Sequence, residues 1–299
     1  MSEPLGFIGT GNLGGAIVSA LLKSGCAMTI YDTDPGVLAP LRDQGARIAA
    51  SARAVGDAAP IVFACLPAPE ISRAVALAPD GVAAGAAIEI YAEISTLGID
   101  TVAEIAAAMA QRDIAVLDLP AVGGGGGAGV GEGKMAMIGA GPRAAFDRVA
   151  PILRALTKQL FYVGEKHGLA QVCKCVNAAL AITGLTIACE AMVMGVKAGL
   201  DPQMLLDIVN AGSGRNVTTE ERFAKTVLAR KFGGNQLRIA LKDMKLYAET
   251  AHALGVPAFV GANIAEIWQA ASNLGGEHLV QFFEGFADVE VKCQVKGDR

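Results

Sequence analysis

The chain has 299 residues, of which 53% are hydrophobic and only 18% charged, and its formal net charge is −4. That length suits two domains with separate cores, and the high apolar fraction indicates burial within domains and between the subunits of a homodimer or homotetramer. The small negative charge and the absence of a basic cluster argue against binding to nucleic acid or to an anionic membrane surface.

Targeting, membrane and redox features favour a soluble, cytoplasmic protein. The chain leads straight into a strand pattern without a targeting peptide, and the apolar segment 177–189 is too short to span a bilayer before Glu190 interrupts it. The six cysteines include no CxxC pair and no histidine lies near them at ligand spacing. We therefore expect reduced thiols and no metal site.

The first predicted strand leads into a glycine pattern, GFIGTGNLGG at residues 6–15, and the spacing of a buried helix follows. Gly9 permits the sharp turn, Gly11 leaves room for a pyrophosphate, and Gly14 allows the helix to pack close to the sheet. Free backbone N–H groups at the helix start hold the anion. The predicted dinucleotide-binding residues of this turn are Gly9, Gly11, Asn12, Leu13 and Gly14.

Asp32 follows the second predicted strand, 27–31, and lies 18 residues after Gly14. A carboxylate at this place accepts hydrogen bonds from ribose hydroxyls and repels a 2′-phosphate, which favours NAD over NADP. The alternative is that Asp32 only begins the turn into the next helix, where Asp34 is a natural N-cap and Pro35 a natural first residue. The two roles are compatible.

Strand and helix patterns alternate up to about residue 163 and then give way to helix patterns alone. The alternation predicts an α/β, Rossmann-type doubly wound sheet, and the remainder an all-helical domain. We expect an NAD-binding domain over 1–164 and a substrate and dimerisation domain over 165–299, joined by a long helix at about 169–198. The later predicted strands are 61–66, 86–91, 115–119 and 135–138.

Eight short motifs together resemble one enzyme family. In chain order they are GFIGTGNLGG at 6–15, CLP at 65–67, IST at 94–96, the glycine-rich loop after 118–120, GLAQVCKCVN at 168–177, AGLDP at 198–202, GSGRN at 212–216 and LKDMKL at 241–246. Over nearly its whole length the chain resembles the 3-hydroxyisobutyrate dehydrogenase-like, or β-hydroxyacid dehydrogenase, family, which is related to 6-phosphogluconate dehydrogenase. The resemblance implies a cofactor-binding Rossmann domain, a helical C-terminal domain and an active site in the cleft between them.

The resemblance makes Lys174 the catalytic lysine, with Asn177 following at i+3 on the same helix face. Such a lysine removes the hydroxyl proton as hydride leaves for the nicotinamide, and in reverse it polarises the carbonyl. A free lysine has a pKa of about 10.4, which a desolvated cleft lowers. Asn177 would orient the lysine or hold a substrate oxygen. The alternative, a solvated surface lysine, conflicts with its mostly apolar neighbours.

The remaining site residues also rest on the resemblance. It implies that Leu66, Pro67 and Thr96 line the nicotinamide and its ribose, at strand ends where open sheets bind ligands. Lys242 matches a lysine that approaches the nicotinamide and substrate, and Phe232 matches a pocket aromatic. Without the resemblance, the last two would be a solvated lysine and a core phenylalanine.

The glycine-rich loop departs from the family pattern, which is approximately Asp-Ala-Pro-Val-Ser-Gly-Gly. Here Val122 or Gly123 replaces the serine that grips the substrate carboxylate, and the loop is about two residues longer. Backbone N–H groups of Gly123, Gly124 and their neighbours would bind the carboxylate instead. The alternative for five glycines in a row, at 123–127, is a flexible linker.

The predicted function is an oxidoreductase that moves hydride between NAD and a β-hydroxy acid or related small acid, with lysine as general acid and base. NADP is the disfavoured cofactor. Two alternatives are a non-catalytic NAD-binding scaffold, which the presence of Lys174 opposes, and an imine reductase, a similar fold in which the lysine is usually replaced.

Overall fold

The structure is a computed structural model that describes residues 3–123, 126–130, 134–157, 159–233 and 236–293. Contacts divide the chain into two compact units, Met1–Lys174 and Cys175–Arg299. The first unit alternates strands with helices. Its strands are β1 (Leu5–Ile8), β2 (Met28–Tyr31), β3 (Arg47–Ile48), β4 (Ile61–Ala64), β5 (Ile90–Glu93), β6 (Ala115–Asp118), β7 (Ala121–Gly123), β8 (Met135–Ala140) and β9 (Gln159–Gly164). Its helices are α1 (Asn12–Lys23), α2 (Pro35–Asp43), α3 (Ala52–Ala58), α4 (Pro69–Leu77), α5 (Ile99–Ala110) and α6 (Arg143–Arg154).

Within the described residues the strands form one sheet in the order β3-β2-β1-β4-β5-β6-β8-β7, with β9 paired to β8. Strands β1 to β6 run parallel to one another, whereas β8 is antiparallel to both β6 and β7. The predicted Rossmann-type sheet is confirmed. The strand order reverses between β1 and β4, and the carboxyl ends of strands at such a switch point form the ligand crevice of open sheets.

Alternating strand residues supply two separate cores. Phe7 and Phe63 enter one core with Phe146 of α6, while Ile8 enters the other with Val55 of α3. Because successive side chains of a strand point to opposite faces, the two cores lie on the two faces of the sheet. Helices therefore cover both faces, as a doubly wound sheet requires.

In the described part of the second unit, only helical elements occur. They are the greater part of α7 (Leu169–Lys197), then α8 (Pro202–Ala211), two π-helical turns (Thr218–Arg222 and Ala224–Leu228), α9 (Gln236–Ala253), α10 (Phe259–Asn273) and α11 (Leu279–Ala287). The buried Trp268 packs in one of two apolar clusters and its indole Nε1–H donates to Thr186 Oγ1 at 2.8 Å. The predicted all-helical class of the second domain is thus confirmed.

Helix α7 spans nearly the range predicted for the long connecting helix. The division by contacts falls inside it, after Lys174, whereas the predicted boundary lies before it; the domain limits 1–164 and 165–299 stay a prediction. By length and hydropathy alone, α7 is the one helix among the described residues that meets the requirements of a membrane span, and 39% of its most apolar part is buried. A single helix of this kind is weak evidence, because core helices of soluble proteins meet the same test.

Candidate active site

The turn between β1 and α1, residues 9–14, is called the glycine turn below. Gly9 has φ +87°, and a Cβ there would strike the carbonyl oxygen of Cys65. A Cβ on Gly14 would strike the carbonyl oxygen of Gly9, which is backbone and cannot move aside. A Cβ on Gly11 would meet nothing within 4 Å. Positions 9 and 14 therefore require glycine because a Cβ would clash with backbone, and position 11 leaves open space, as predicted.

Open space at Gly11 adjoins the first turn of α1. This helix starts at Asn12, and its N-cap, Gly11, offers no side-chain acceptor to the free N–H groups of that turn. Those groups and the positive end of the helix dipole are therefore available to an anion. The glycine turn fits the pyrophosphate of a dinucleotide.

Asp32 lies just beyond β2 and contacts the glycine turn directly. Its Oδ2 accepts a hydrogen bond from Thr10 N–H at 2.6 Å, and its Oδ1 accepts one from Asp34 N–H at 3.0 Å. Asp34 in turn caps α2 by accepting from Gly36 N–H, with Pro35 in the first helical position, as predicted. The turn role of Asp32 is thus present. Its Oδ2 also accepts from Thr10 Oγ1 at 3.3 Å, so Oδ1 is the oxygen that keeps a lone pair for a ribose hydroxyl.

Three residues predicted to line the nicotinamide lie at neighbouring strand ends. Leu66 and Pro67 follow β4, and Thr96 follows β5. Leu66 reaches the glycine turn, since its Cδ2 lies 2.9 Å from the position that a Cβ on Gly9 would take. Its N–H donates to Ser95 Oγ at 2.7 Å, which fixes the two loops to each other. The structure therefore places the loops that carry these residues next to each other, and the loop after β4 next to the glycine turn.

Sequence reasoning missed a set of buried side chains beside these loops: Glu93, Ser95, Asp118 and Gln171, called the buried polar cluster below. Gln171 Nε2–H donates to Asp118 Oδ1 at 2.6 Å and to the Ser95 carbonyl at 3.2 Å. Ser95 N–H donates to Glu93 Oε1 at 3.0 Å. The only signal in the sequence is a glutamine within an apolar helix turn, and a single glutamine does not indicate its partners.

Burial governs the charges of the two carboxyl groups in this cluster. It raises the pKa of Glu93 to about 7, although hydrogen bonds from Ser95 and Tyr91 oppose the shift. It likewise raises the pKa of Asp118 to about 6, against hydrogen bonds from Gln171 and Gly168 and the nearby His167. Both groups lose their charge more readily than ordinary carboxyls, because the charged form is disfavoured away from water.

Lys174 lies in α7, one turn after Gln171, and is half-buried. Its Nζ donates to the carbonyl oxygen of Ala121 at 2.9 Å, at the start of the predicted substrate loop. Asn177, a further turn along, is exposed and has no hydrogen-bond partner among the described residues. The ammonium group of Lys174 is thereby held at the carboxyl end of the sheet.

The predicted substrate loop begins as a strand, which corrects the expectation of a loop. Val122 and Gly123 belong to β7, where they pair with Ala136 and Met135 of β8. Gly123 adopts φ +77°, and a Cβ there would lie 2.7 Å from the Lys134 carbonyl oxygen. Pairing with β8 engages this backbone, so glycine composition alone was a poor guide to its structure. Gly124 lies outside the described residues.

The second half of the same segment packs on the cofactor side. The 3₁₀ turn Gly126–Gly129 contacts α1, and a Cβ on Gly127 would strike the Asn12 carbonyl oxygen and lie 2.8 Å from Asn12 Oδ1. This close approach requires glycine at position 127. The glycine-rich segment therefore has fixed contacts on either side of its undescribed residues.

In the second unit, two predicted site residues lie among local partners. The ring of Phe232 stacks on His278 with centroids 5.0 Å apart, and the Arg230 guanidinium lies 4.6 Å from the ring centre. Burial, and then Arg230, lower the pKa of His278 to about 4. Lys242 Nζ forms an ion pair with Asp243 Oδ1 at 3.2 Å. Their predicted contacts with substrate and nicotinamide stay predictions.

Among the residues that the structure describes, no group of three or more His, Cys, Asp or Glu side chains could hold a metal ion. The cysteines, all within the described ranges, are free thiols.

Two family models match the chain in succession. The NAD binding domain of 6-phosphogluconate dehydrogenase matches residues 4–164, and a model described as NAD-binding of NADP-dependent 3-hydroxyisobutyrate dehydrogenase matches residues 168–281. The first match ends, and the second begins, just before α7.

Individual proteins agree with the family models. The chain is 31% identical to 3-hydroxyisobutyrate dehydrogenase of Pseudomonas aeruginosa, over 92% of this chain and 94% of that protein. It is 30% identical to 2-(hydroxymethyl)glutarate dehydrogenase of Eubacterium barkeri, over 92% and 91%.

Solved structures share the fold. The crystal structure of 3-hydroxyisobutyrate dehydrogenase from Salmonella typhimurium superposes with a TM-score of 0.81 at 26% identity, covering 94% of this chain and 100% of that one. The complex of Psf3 with NADP+ and 2-OPP gives a TM-score of 0.80 at 24% identity, covering 94% and 99%, and shows the fold alone.

Proposed function

The chain belongs to the 3-hydroxyisobutyrate dehydrogenase family and is an NAD(P)-dependent dehydrogenase acting on CH–OH groups, and from that premise we propose a more specific reaction. It transfers hydride between NAD and a β-hydroxy acid or a related small acid, and Lys174 is the general acid and base. The position of Lys174 carries this proposal, because its ammonium lies at the backbone of the segment predicted to bind substrate.

Contacts in the structure support the proposed roles. The glycine turn has room for a pyrophosphate at Gly11, and the uncapped start of α1 supplies N–H donors. When bound, the nicotinamide accepts or returns a hydride. During oxidation the neutral amine of Lys174 accepts the hydroxyl proton and becomes an ammonium, and during reduction that ammonium returns the proton to the carbonyl oxygen. The Ala121 carbonyl keeps the ammonium at the segment where the substrate carboxylate would bind.

The finer assignments complete the proposal. Asp32 selects NAD over NADP through the ribose hydroxyls, and Leu66, Pro67 and Thr96 line the nicotinamide. Asn177 and Lys242 contribute polar groups to substrate and nicotinamide, and Phe232 contributes an apolar wall. Because no serine stands in the substrate segment, we expect a roomier pocket or an acid other than hydroxyisobutyrate.

A direct assay tests the reaction. Purified protein is followed at 340 nm with NAD or NADP and a panel of hydroxy acids that includes 3-hydroxyisobutyrate and 2-(hydroxymethyl)glutarate. We expect turnover with at least one acid and a preference for NAD. Turnover of a cyclic imine without any hydroxy acid would support the imine reductase instead, and cofactor binding without turnover of either class would support the scaffold.

The lysine assignment has its own test. Lys174→Met should lower kcat by about 10²-fold to 10⁴-fold, the usual contribution of a positioned acid or base, with little change in cofactor affinity. The matched control is Lys166→Met, which removes an exposed lysine from the same region and should leave kcat unchanged. A Lys174→Met enzyme with wild-type kcat would rule out the lysine as acid and base.

We also propose a soluble, cytoplasmic homo-oligomer. Leu180, Ile187 and Met194 of α7 follow each other at intervals of seven residues and are 73, 53 and 71% exposed. Such an apolar stripe on a helix favours burial against another protein surface. Sedimentation should give a dimer or tetramer, and Met194→Glu should weaken it. A wild-type monomer at micromolar concentration, or recovery of the protein in the membrane fraction, would contradict this assembly.

A further inference from the structure

Gln171 is fully buried and uses all of its side-chain hydrogen-bonding groups. Its Nε2 donates to Asp118 Oδ1 at 2.6 Å and to the Ser95 carbonyl at 3.2 Å. Its Oε1 accepts from Leu97 N–H at 2.8 Å and from Gly98 N–H at 3.1 Å. Because backbone N–H groups can only donate, the amide has one permitted orientation.

The partners of this amide come from two loops far away in sequence. Ser95, Leu97 and Gly98 follow β5, and Asp118 ends β6. The Gln171–Asp118 bond is reinforced through the backbone, since Gly168 N–H and Gln171 N–H each donate to Asp118 Oδ2 at 3.2 Å. A carboxylate at the start of a helix is favourable, because it accepts from free N–H groups there. The first turn of α7 is therefore tied to the ends of both strands.

The connection extends to residues assigned to the cofactor and the substrate. The Ser95 carbonyl accepts a hydrogen bond from Gln171, and the Ser95 hydroxyl oxygen accepts one from Leu66 N–H. Thr96 stands between Ser95 and Leu97, both of which Gln171 contacts. Three residues after Asp118, the Ala121 carbonyl accepts from Lys174. Each of these loops carries a group of the proposed reaction.

We propose that Gln171 is a positioning residue for Lys174: its side-chain amide fixes the turn of α7 that carries the lysine against the two loops that carry Thr96 and Ala121. The proposal rests on the dehydrogenase function proposed above. Gln171 does not touch the reacting atoms. It acts through the backbone of the loops and through the helix turn on which Lys174 follows at i+3.

An apolar side chain would be the simpler way to fill this space. A buried amide costs free energy unless its groups are paired, and a fully paired amide in turn defines one arrangement of the surrounding segments. An aliphatic residue would fill the volume without specifying the distance from Lys174 to Ala121. A displacement of a catalytic group by about 1 Å lowers turnover by about 10²-fold.

The test exchanges the amide and the carboxylate between positions 171 and 118. Gln171→Glu removes both donors and places a carboxylate opposite Asp118, so we expect kcat to fall by about 10²-fold while the cofactor Kd stays within about threefold. In the double variant Gln171→Glu, Asp118→Asn, the new asparagine donates to the new glutamate. That variant keeps the acceptor for Leu97 and Gly98, and should recover most of kcat despite the lost bond to Ser95.

Two results would overturn the proposal. One is a kcat loss in Gln171→Glu that Asp118→Asn does not reverse. The other is a cofactor Kd that rises in step with the kcat loss, which would assign Gln171 to the fold of the cofactor site. If Gln171→Glu fails to fold, Gln171→Met, of similar size and uncharged, supplies the same comparison of kcat with Kd.

A second measurement separates this proposal from the proposed function. Trace acylation followed by peptide mass spectrometry reports the reactivity of the Lys174 amine relative to exposed Lys166, without any substrate. We expect that ratio to change in Gln171→Glu and to return towards wild type in the double variant. An unchanged ratio would overturn the positioning role. Failure of the wild-type enzyme to turn over any acid would count against the proposed function alone.

Discussion

At the carboxyl end of β1 the groups available to a ligand are backbone N–H groups, whereas the loops after β5 and β6 are held in place by buried side chains. The glycine turn depends on the absence of side chains. Positions 9 and 14 have no space for a Cβ, and position 11 leaves space open for a ligand. The buried polar cluster instead depends on side-chain hydrogen bonds, because Gln171 and Ser95 join separate loops. Substitutions and changes of pH should therefore affect the glycine turn and the buried polar cluster differently.

The largest effect should come from crowding the glycine turn. Gly14→Ala places a methyl group against the Gly9 carbonyl oxygen and 2.9 Å from Phe7 Cε1, where backbone cannot yield. We expect the free energy of unfolding in guanidinium chloride to fall by about 3 kcal/mol or more. Gly11→Ala is the matched variant, because its Cβ meets open space. It should unfold like wild type but bind NAD more weakly. Equal denaturation midpoints for the two variants would contradict this division of roles.

Next in size is the pH dependence of stability from Glu93 in the buried polar cluster. Its pKa of about 7 in the fold lies above the ordinary value of 4.5, so the folded chain keeps a proton that the unfolded chain releases. The stability that this proton provides is complete below pH 4.5 and is lost as pH rises to about 7.

Glu93→Gln removes that titration while keeping an acceptor for Ser95 N–H. Wild type and variant should be equally stable at low pH, and at pH 8 the variant should be more stable by about 2–3 kcal/mol. Urea unfolding at pH values from 5 to 8 measures the difference. Glu165→Gln, at an exposed position, should show no such trend. A constant difference between wild type and Glu93→Gln across this range would mean that the buried carboxyl does not titrate there.

The same contrast explains what could be predicted from the sequence. The glycine turn, the place of Asp32 after β2 and the cap at Asp34 follow short local patterns, so the sequence was sufficient to predict their positions in the fold, while their roles toward a cofactor stay predictions. The buried polar cluster joins residues 53 and 76 positions apart, as in the bonds of Gln171 to Asp118 and Ser95, and no local pattern encodes such contacts. The strand at Val122 was missed for a related reason, since its partner β8 pairs with it across the glycine-rich segment.

A smaller effect distinguishes the two interpretations of the glycines at 123–127. Gly127→Ala would press on the Asn12 carbonyl oxygen and lie 3.2 Å from Ala16 Cβ, so we expect about 1–2 kcal/mol of destabilisation by thermal or chemical unfolding. A flexible linker predicts the opposite sign, because alanine reduces the entropy of the unfolded chain by an amount worth about 0.4–1 kcal/mol. Gly285→Ala, which meets nothing within 4 Å, is the control and should not destabilise.

The smallest expected effect concerns Asp32, a side chain that is hydrogen-bonded to the backbone of the glycine turn. Its carboxylate supports the glycine turn through Thr10 N–H and the next turn through Asp34 N–H, so an alanine would disturb both binding and folding. Asp32→Asn removes the charge but keeps an acceptor. The ratio of the Kd values for NAD and NADP, measured by cofactor titration, should shift by about tenfold towards NADP, with about 1 kcal/mol or less lost in stability. The control is Asp34→Asn, which removes a charge two residues away. Because asparagine is also a natural N-cap residue, this variant should leave the ratio unchanged. If Asp32→Asn also left it unchanged, the carboxylate would be a turn residue only, and cofactor choice would depend on other groups around the ribose.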